Sequence, residues 1–259
     1  MKKRYLLLVL FAGMVCCALS VWASGAMPPA YCIVDLPTGK VSYVDDLSQS
    51  AINSPLYKTD RMVLRLVAPR TFKNTDKKDV TISRPFYVGL FRVTQAQYQW
   101  VTGECPSYFR RGDTNAVNAV SFEMIRGGAD GAKWPESAAV DTLSFLGILR
   151  MLTDAEFDLP TEAQWMLSRQ DWDAWGTCGD FGTGWDWCRD FYSQEEPSGT
   201  DPVGASKGTS RVMRGGNFGC FEGMCPARPR GCFYPNSCFY YFHNLDFGFR
   251  IVVPCPEKL

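Results

Sequence analysis

Residues 211–250 read RVMRGGNFGCFEGMCPARPRGCFYPNSCFYYFHNLDFGFR and differ in character from the rest of this chain. We expect its two ends, RVMRGG and DFGFR, to be rigid. The residues between them follow neither a helical nor a strand period. Ten of the 33 residues from 217 to 249 are Phe or Tyr, compared with 14% aromatic residues overall, and four cysteines lie among them. The pattern predicts a fixed frame around a segment of different chemical character.

Three interpretations of this segment compete. In the first, Cys220 and Cys225 form a pair of thiolate ligands, which suits Cu(I), Zn or redox chemistry. In the second, aromatic, Asn and Ser side chains form a recognition surface, because aromatic rings supply contact area at low entropy cost. The candidate ligand-binding residues are Phe221, Glu222, Phe233, Tyr234, Asn236, Ser237, Phe239, Tyr240, Tyr241, His243 and Asn244. In the third, the aromatic residues belong to the core and the cysteines form disulfides.

The first 23 residues predict export. Lys2, Lys3 and Arg4 precede an apolar stretch, and the small-residue pattern at 21–23 is typical of a signal peptide cleavage site. Cys16 and Cys17 leave a lipid anchor open as an alternative, although the residues before them fit a lipobox poorly. We expect the mature protein in the periplasm, at the cell surface or outside the cell, with membrane attachment only through such an anchor.

The composition excludes some classes of partner and site. The formal net charge is zero and no basic cluster occurs, which argues against a nucleic-acid partner. Without Cys16 and Cys17, nine of the eleven cysteines remain, so at least one is unpaired, bound to a ligand or linked to another chain. His243 is the only histidine, which favours a contact residue over a histidine-based metal site.

Local patterns predict a mixed α+β chain. Residues 31–46 predict a hairpin within an N-terminal extension, 24–59, ahead of the main domain. Strands are predicted at 62–69 and 80–93. Helices are predicted at 94–103 with Thr94 as N-cap, from Ser121, at 142–153, and after Thr161. Trp185 and Trp187 alternate on a strand-like segment and are expected in the core, and Asp186 and Asp190 offer carboxylate oxygens for Ca²⁺.

Six motifs occur in an order that resembles the formylglycine-generating enzyme, or sulfatase-modifying factor, family. They are VTQAQY at 93–98, NAVSF at 118–122, LPTEAQW at 159–165, GWDWCRDFY at 184–192, RVMRGG at 211–216 and GFRIVV at 248–253. The resemblance implies a single loop-rich α+β domain of C-type-lectin-like fold over residues 60–255. Family enzymes oxidise a substrate cysteine to formylglycine with copper held by two cysteines, and Cys220 and Cys225 stand where that pair is expected.

The same stretch also resembles the variable proteins of diversity-generating retroelements. These proteins present a C-terminal lectin-like surface whose codons are rewritten from a template repeat by adenine-directed mutagenesis. Residues 231–244 consist only of types that rewritten Asn codons produce, and Asn217 stands where the enzymes usually carry Ser. The resemblance therefore favours an exported binding protein with a variable segment, 217–247, and a protein or glycan ligand at the cell surface. This interpretation requires no cofactor. A copper-dependent oxidase is the alternative, and a structural exported domain is the third.

Overall fold

The structure is a computed structural model, which describes residues 27–110, 112–171, 184–215, 230–237 and 247–257. Residues Pro28–Cys255 form one compact unit. Within the described ranges, none of the helices combines the length and the apolar character needed to cross a membrane.

The described part of the chain contains twelve strands. They are β1 Tyr31–Asp35, β2 Lys40–Val44, β3 Arg61–Val67, β4 Arg70–Lys73, β5 Asp79–Ile82, β6 Phe86–Gly89, β7 Trp185–Phe191, β8 Gly199–Thr200, β9 Arg211–Gly215, β10 Arg230–Phe233, β11 Phe247–Gly248 and β12 Val252–Pro254. The strand predicted at 62–69 corresponds to β3. The region 80–93 holds two strands, β5 and β6, separated at Pro85, whose ring nitrogen has no hydrogen to donate to a ladder. Local patterns missed β4.

The strands form three sheets. A five-stranded antiparallel sheet has the order β12-β6-β3-β1-β2, a four-stranded sheet has the order β10-β9-β7-β11, and β4, β5 and β8 form a third. The predicted hairpin is confirmed as β1 and β2, paired from Tyr31 with Val44 to Asp35 with Lys40. Because β1 also pairs with β3, the hairpin and the strands after residue 60 share one sheet.

The described ranges contain five α-helices: α1 Gln49–Ile52, α2 Gln95–Thr102, α3 Phe122–Arg126, α4 Phe145–Thr153 and α5 Glu162–Asp171. Thr94 and Gln97 form a capping box at α2, and Gly103 ends this helix in the left-handed conformation, as predicted. Ser121 caps α3, also as predicted. The helix predicted at 142–153 begins later, because the Ser144 hydroxyl accepts the N–H of Gly147 and acts as the cap.

Strand β3 is buried on both faces and divides two apolar clusters. Met62 and Leu64 contribute to the cluster that also contains Phe145 and Trp187, whereas Val63 contributes to the cluster beneath α5. Successive strand residues point to opposite faces, so one strand serves both clusters. Trp187 is fully buried, which confirms its predicted place in the core.

Candidate functional site

The candidate ligand-binding residues divide into two groups. Phe233, Tyr234, Asn236 and Ser237 belong to the described part of the chain. The others lie outside the described residues, namely Phe221, Glu222, Phe239, Tyr240, Tyr241, His243 and Asn244. The candidate copper ligands Cys220 and Cys225 also lie outside the described residues.

The described portion of the segment is β10 and the turn that follows it. Exposure alternates along this portion: Cys232, Tyr234 and Asn236 are exposed, and the residues between them are half-buried. Tyr234 is 63% exposed. The N–H of Ser237 donates to the Tyr234 carbonyl at 2.9 Å and closes the turn. One described face of the segment therefore offers a phenol, an amide and a thiol to the surroundings.

The alternate positions face the protein. Phe233 packs on Phe247, with ring centroids 4.5 Å apart, and contacts the core cluster that contains Trp187. A Cβ atom at Gly231 would lie 3.1 Å from the Trp185 ring, so a side chain here would press against the indole. Phe233 thus contributes to the core contacts of β10, whereas Tyr234 and Asn236 point outward.

The C-terminal flank of residues 211–250 is held by a buried carboxylate. Asp186 on β7 accepts from Arg92 Nε at 2.9 Å, Arg250 Nε at 3.2 Å and the Trp165 indole nitrogen at 3.0 Å. Arg250 also donates to the Leu90 carbonyl at 2.8 Å. This network anchors the GFR motif, and no local pattern in the sequence revealed it.

Close packing explains why the first residue of the GFR motif, Gly248, is a glycine. A Cβ atom at this position would lie 2.5 Å from Arg92 Nη2 and 2.6 Å from the Val117 carbonyl oxygen. Only glycine allows the arginine to approach the strand so closely. The packing of the Asp186 network therefore requires the glycine of this motif.

Asp186 and Asp190 were proposed above as Ca²⁺ ligands, and both side chains are buried. Asp190 Oδ2 accepts the N–H of Glu162. Throughout the described ranges, no group of three or more His, Cys, Asp or Glu side chains is arranged to hold a metal ion. Calcium binding by this pair stays a prediction.

A second charged cluster holds β9 and β10. Arg230 donates to both oxygens of Glu162, at 2.5 Å from Nε and 2.9 Å from Nη2. Glu162 Oε1 also lies 2.7 Å from Nη2 of Arg214, which reaches Glu196 at 2.6 Å. The sequence indicated the motifs that contain Glu162 and Arg214 but did not reveal that they meet at Arg230.

Tyr108 and Phe109 form an exposed aromatic pair on the loop that follows α2. Tyr108 is 65% and Phe109 37% exposed, and their rings lie edge to face at 5.1 Å. The Asn118 side chain accepts from the Phe109 N–H at 3.2 Å and donates to its carbonyl at 3.1 Å, which fixes the loop. Two residues further on, Val120 donates its N–H to the Phe247 carbonyl. This loop therefore connects the aromatic pair to β11.

Among the described residues, four cysteines carry free thiols: Cys32, Cys105, Cys188 and Cys232. Burial raises the pKa of Cys188 well above its usual value and disfavours the reactive thiolate. Cys232, in contrast, is exposed on the candidate surface. The predicted disulfides stay untested for the cysteines outside the described ranges.

No protein-family model matches the chain. A formylglycine-generating enzyme of Streptomyces coelicolor is 38% identical over 55 residues, which cover 20% of this chain and 16% of that enzyme. The chain therefore spans about a sixth of the length of this curated relative.

Two solved structures resemble the fold over most of their length. Treponema denticola variable protein 1 is 18% identical, with a TM-score of 0.54, and the match covers 75% of this chain and 96% of that one. PvdO from Pseudomonas aeruginosa is 14% identical, with a TM-score of 0.51, and the match covers 74% and 94%. The α+β C-type-lectin-like fold predicted from the six motifs is confirmed, as is the resemblance to proteins of the formylglycine-generating-enzyme type.

Proposed function

We propose that this chain is an exported ligand-binding protein that displays a diversified, aromatic-rich C-terminal surface on a C-type-lectin-like scaffold. The observation that carries the proposal is a contrast within residues 211–250. Arg211, Arg214 and Arg250 in the flanks are buried, whereas Tyr234 and Asn236 between them are exposed. A fixed frame with an exposed polar and aromatic insert suits recognition, because variation there costs little stability.

The neighbouring structures and the sequence support the same interpretation. One of the solved structures that share the fold is named a variable protein. Residues 231–244 contain only the residue types that a rewritten Asn template produces. The chain's first 23 residues are typical of a signal peptide, which supports export. The ligand in this proposal is a protein or glycan at the cell surface.

Sequencing of the source organism's DNA tests the proposal without knowledge of the ligand. We expect deep sequencing of the codons for residues 211–250 to show variation confined to 219–244, beside a near-copy that differs where the template has adenine. The codons of the buried flanks, including those for Arg214 and Arg250, serve as internal controls and should be constant. An invariant segment without any template copy would remove the proposal.

A copper-dependent oxidase is the second candidate function, favoured by the 55-residue match to a formylglycine-generating enzyme. In this candidate Cys220 and Cys225 hold copper as thiolates and a substrate cysteine is oxidised. Purified protein should then bind one Cu(I) per chain, and Cys220→Ser and Cys225→Ser should each abolish uptake in a competition titration. Cys232→Ser is the matched control, because it removes an exposed thiol outside the pair. Uptake that survives in either test variant would exclude this candidate.

A further inference from the structure

The described contacts that connect β10 to the rest of the protein include a charged contact as well as apolar packing. Of its four residues, Gly231 has no side chain and Cys232 is exposed, so Phe233 is the one apolar side chain that packs inward. Backbone pairing joins β10 to β9 through four residue pairs, from Arg230 with Arg214 to Phe233 with Arg211. Among the described residues, the charged contacts of the strand are those of Arg230.

The Arg230 guanidinium is bound on several sides. Besides its two contacts with Glu162, its Nη1 donates to the Ser193 carbonyl at 2.7 Å, and its carbon lies 4.6 Å from the centre of the Tyr192 ring. A planar fork that meets both oxygens of one carboxylate fixes direction as well as distance. The first residue of β10 therefore has a defined place on the scaffold.

Arg230 and Arg214 face each other across neighbouring strands. Like charges in directly opposite positions destabilise a strand pair. Glu162 offsets the repulsion between the two guanidinium groups, because its Oε1 lies 2.5 Å from Arg230 Nε and 2.7 Å from Arg214 Nη2. Glu162 thus bridges the two arginines, and Glu196, 2.6 Å from Arg214, supplies the second negative charge.

Glu162 is itself held in place by the scaffold. Its side chain is 2% exposed, it is the first residue of α5, and its N–H donates to Asp190. The Arg214 side chain is 1% exposed and forms a second ion pair, with Glu196. The Arg230 side chain is 13% exposed, and Glu162 is the one described carboxylate with which it forms an ion pair. Loss of Glu162 should therefore displace Arg230 before Arg214.

We infer that Glu162 is a positioning residue for the candidate ligand surface, whose carboxylate holds β10 and the Tyr234 turn on the scaffold by bridging Arg214 and Arg230. The inference rests on the proposed function only in naming the segment a ligand surface. Its consequence is that the orientation of the surface is set by a buried charge cluster, while the exposed residues themselves are available for recognition.

Hydrogen exchange measured by mass spectrometry tests this inference. In Glu162→Gln, peptides that contain Gly231, Cys232 and Phe233 should exchange at least roughly tenfold faster, while peptides from β3 and β6 keep their protection. Glu195→Gln is the matched control. It makes the same chemical change beside the cluster, but its carboxylate is 79% exposed and pairs with Lys78.

A double variant separates positioning from a general loss of packing. If the unbalanced Arg230 charge displaces β10, then Glu162→Gln combined with Arg230→Gln should exchange more slowly at these peptides than Glu162→Gln alone. Unchanged exchange in Glu162→Gln, or additive effects in the double variant, would overturn the inference. Either result would leave the sequencing test untouched, because codon variation does not depend on how β10 is held.

Discussion

Asp186→Ala is expected to destabilise the protein by roughly 3 to 5 kcal/mol, since removal of one partner from a buried ion pair leaves an uncompensated charge. Asp186 balances two arginines at once: the side chains of Arg92 and Arg250 are 3% and 0% exposed. The variant also removes the acceptor of the Trp165 indole N–H. Urea unfolding at neutral pH, followed by tryptophan fluorescence, measures the loss.

The matched control for Asp186 is Asp79, whose carboxylate lies 2.8 Å from Lys73 with both side chains at least 60% exposed. Asp79→Ala should cost less than about 1 kcal/mol, because water screens an exposed ion pair. If Asp186→Ala does not fold, Asp186→Asn, which keeps an oxygen for Trp165, should be intermediate in stability. A loss at Asp186 as small as that at Asp79 would contradict the role assigned to this network.

Asp190 is expected to make the stability of the protein depend on pH. Burial, assisted by the neighbouring charge of Glu162 and opposed by the Glu162 N–H, raises the pKa of Asp190 from 3.8 to about 7. The folded state therefore holds a proton that the unfolded state has lost between these values. The resulting stabilisation is complete below pH 3.8 and disappears as the pH rises through about 7. Three pKa units correspond to about 4 kcal/mol.

The comparison of wild type with Asp190→Asn isolates this effect. Between about pH 5 and about pH 8 the wild type should lose stability as the pH rises, and the variant should lack that slope and be the more stable protein at the upper end. The Asp141 carboxyl does not titrate between these pH values. Burial raises its pKa, but the N–H groups of Ala129 and Gly131 outweigh burial and lower the pKa below its usual value. Urea unfolding at each pH provides the curves. Parallel curves for the two proteins would show that Asp190 is ionised throughout.

Several elements follow from the sequence because their determinants are near neighbours. Thr94 and Gln97, three residues apart, form the capping box of α2, and Ser121 caps α3 through Met124. The hairpin of β1 and β2 follows from alternation on both sides of a short turn. The six ordered motifs were sufficient to predict the fold, since each combines such local patterns with a family resemblance.

The candidate surface was predicted less completely. Residue types alone placed Phe233 and Tyr234 in one set, although the first packs on Phe247 and the second is 63% exposed. Strand periodicity across β10 is the signal that separates them. That signal was hidden because β10 is only four residues long and its neighbours in the sequence are also aromatic.

The caps of α2 and α3, the first hairpin, the order of the motifs and the location of the aromatic segment could be predicted from the amino-acid sequence. The partners of the buried charges could not, because they are set by how the strands pair. Asp186 lies 94 residues from Arg92 and 64 from Arg250, and Glu162 lies 68 residues from Arg230. A cap is formed by groups that the backbone already holds together, so its pattern is visible in the sequence. A buried ion pair joins residues that become neighbours only through sheet topology, and its partners have no fixed spacing along the chain.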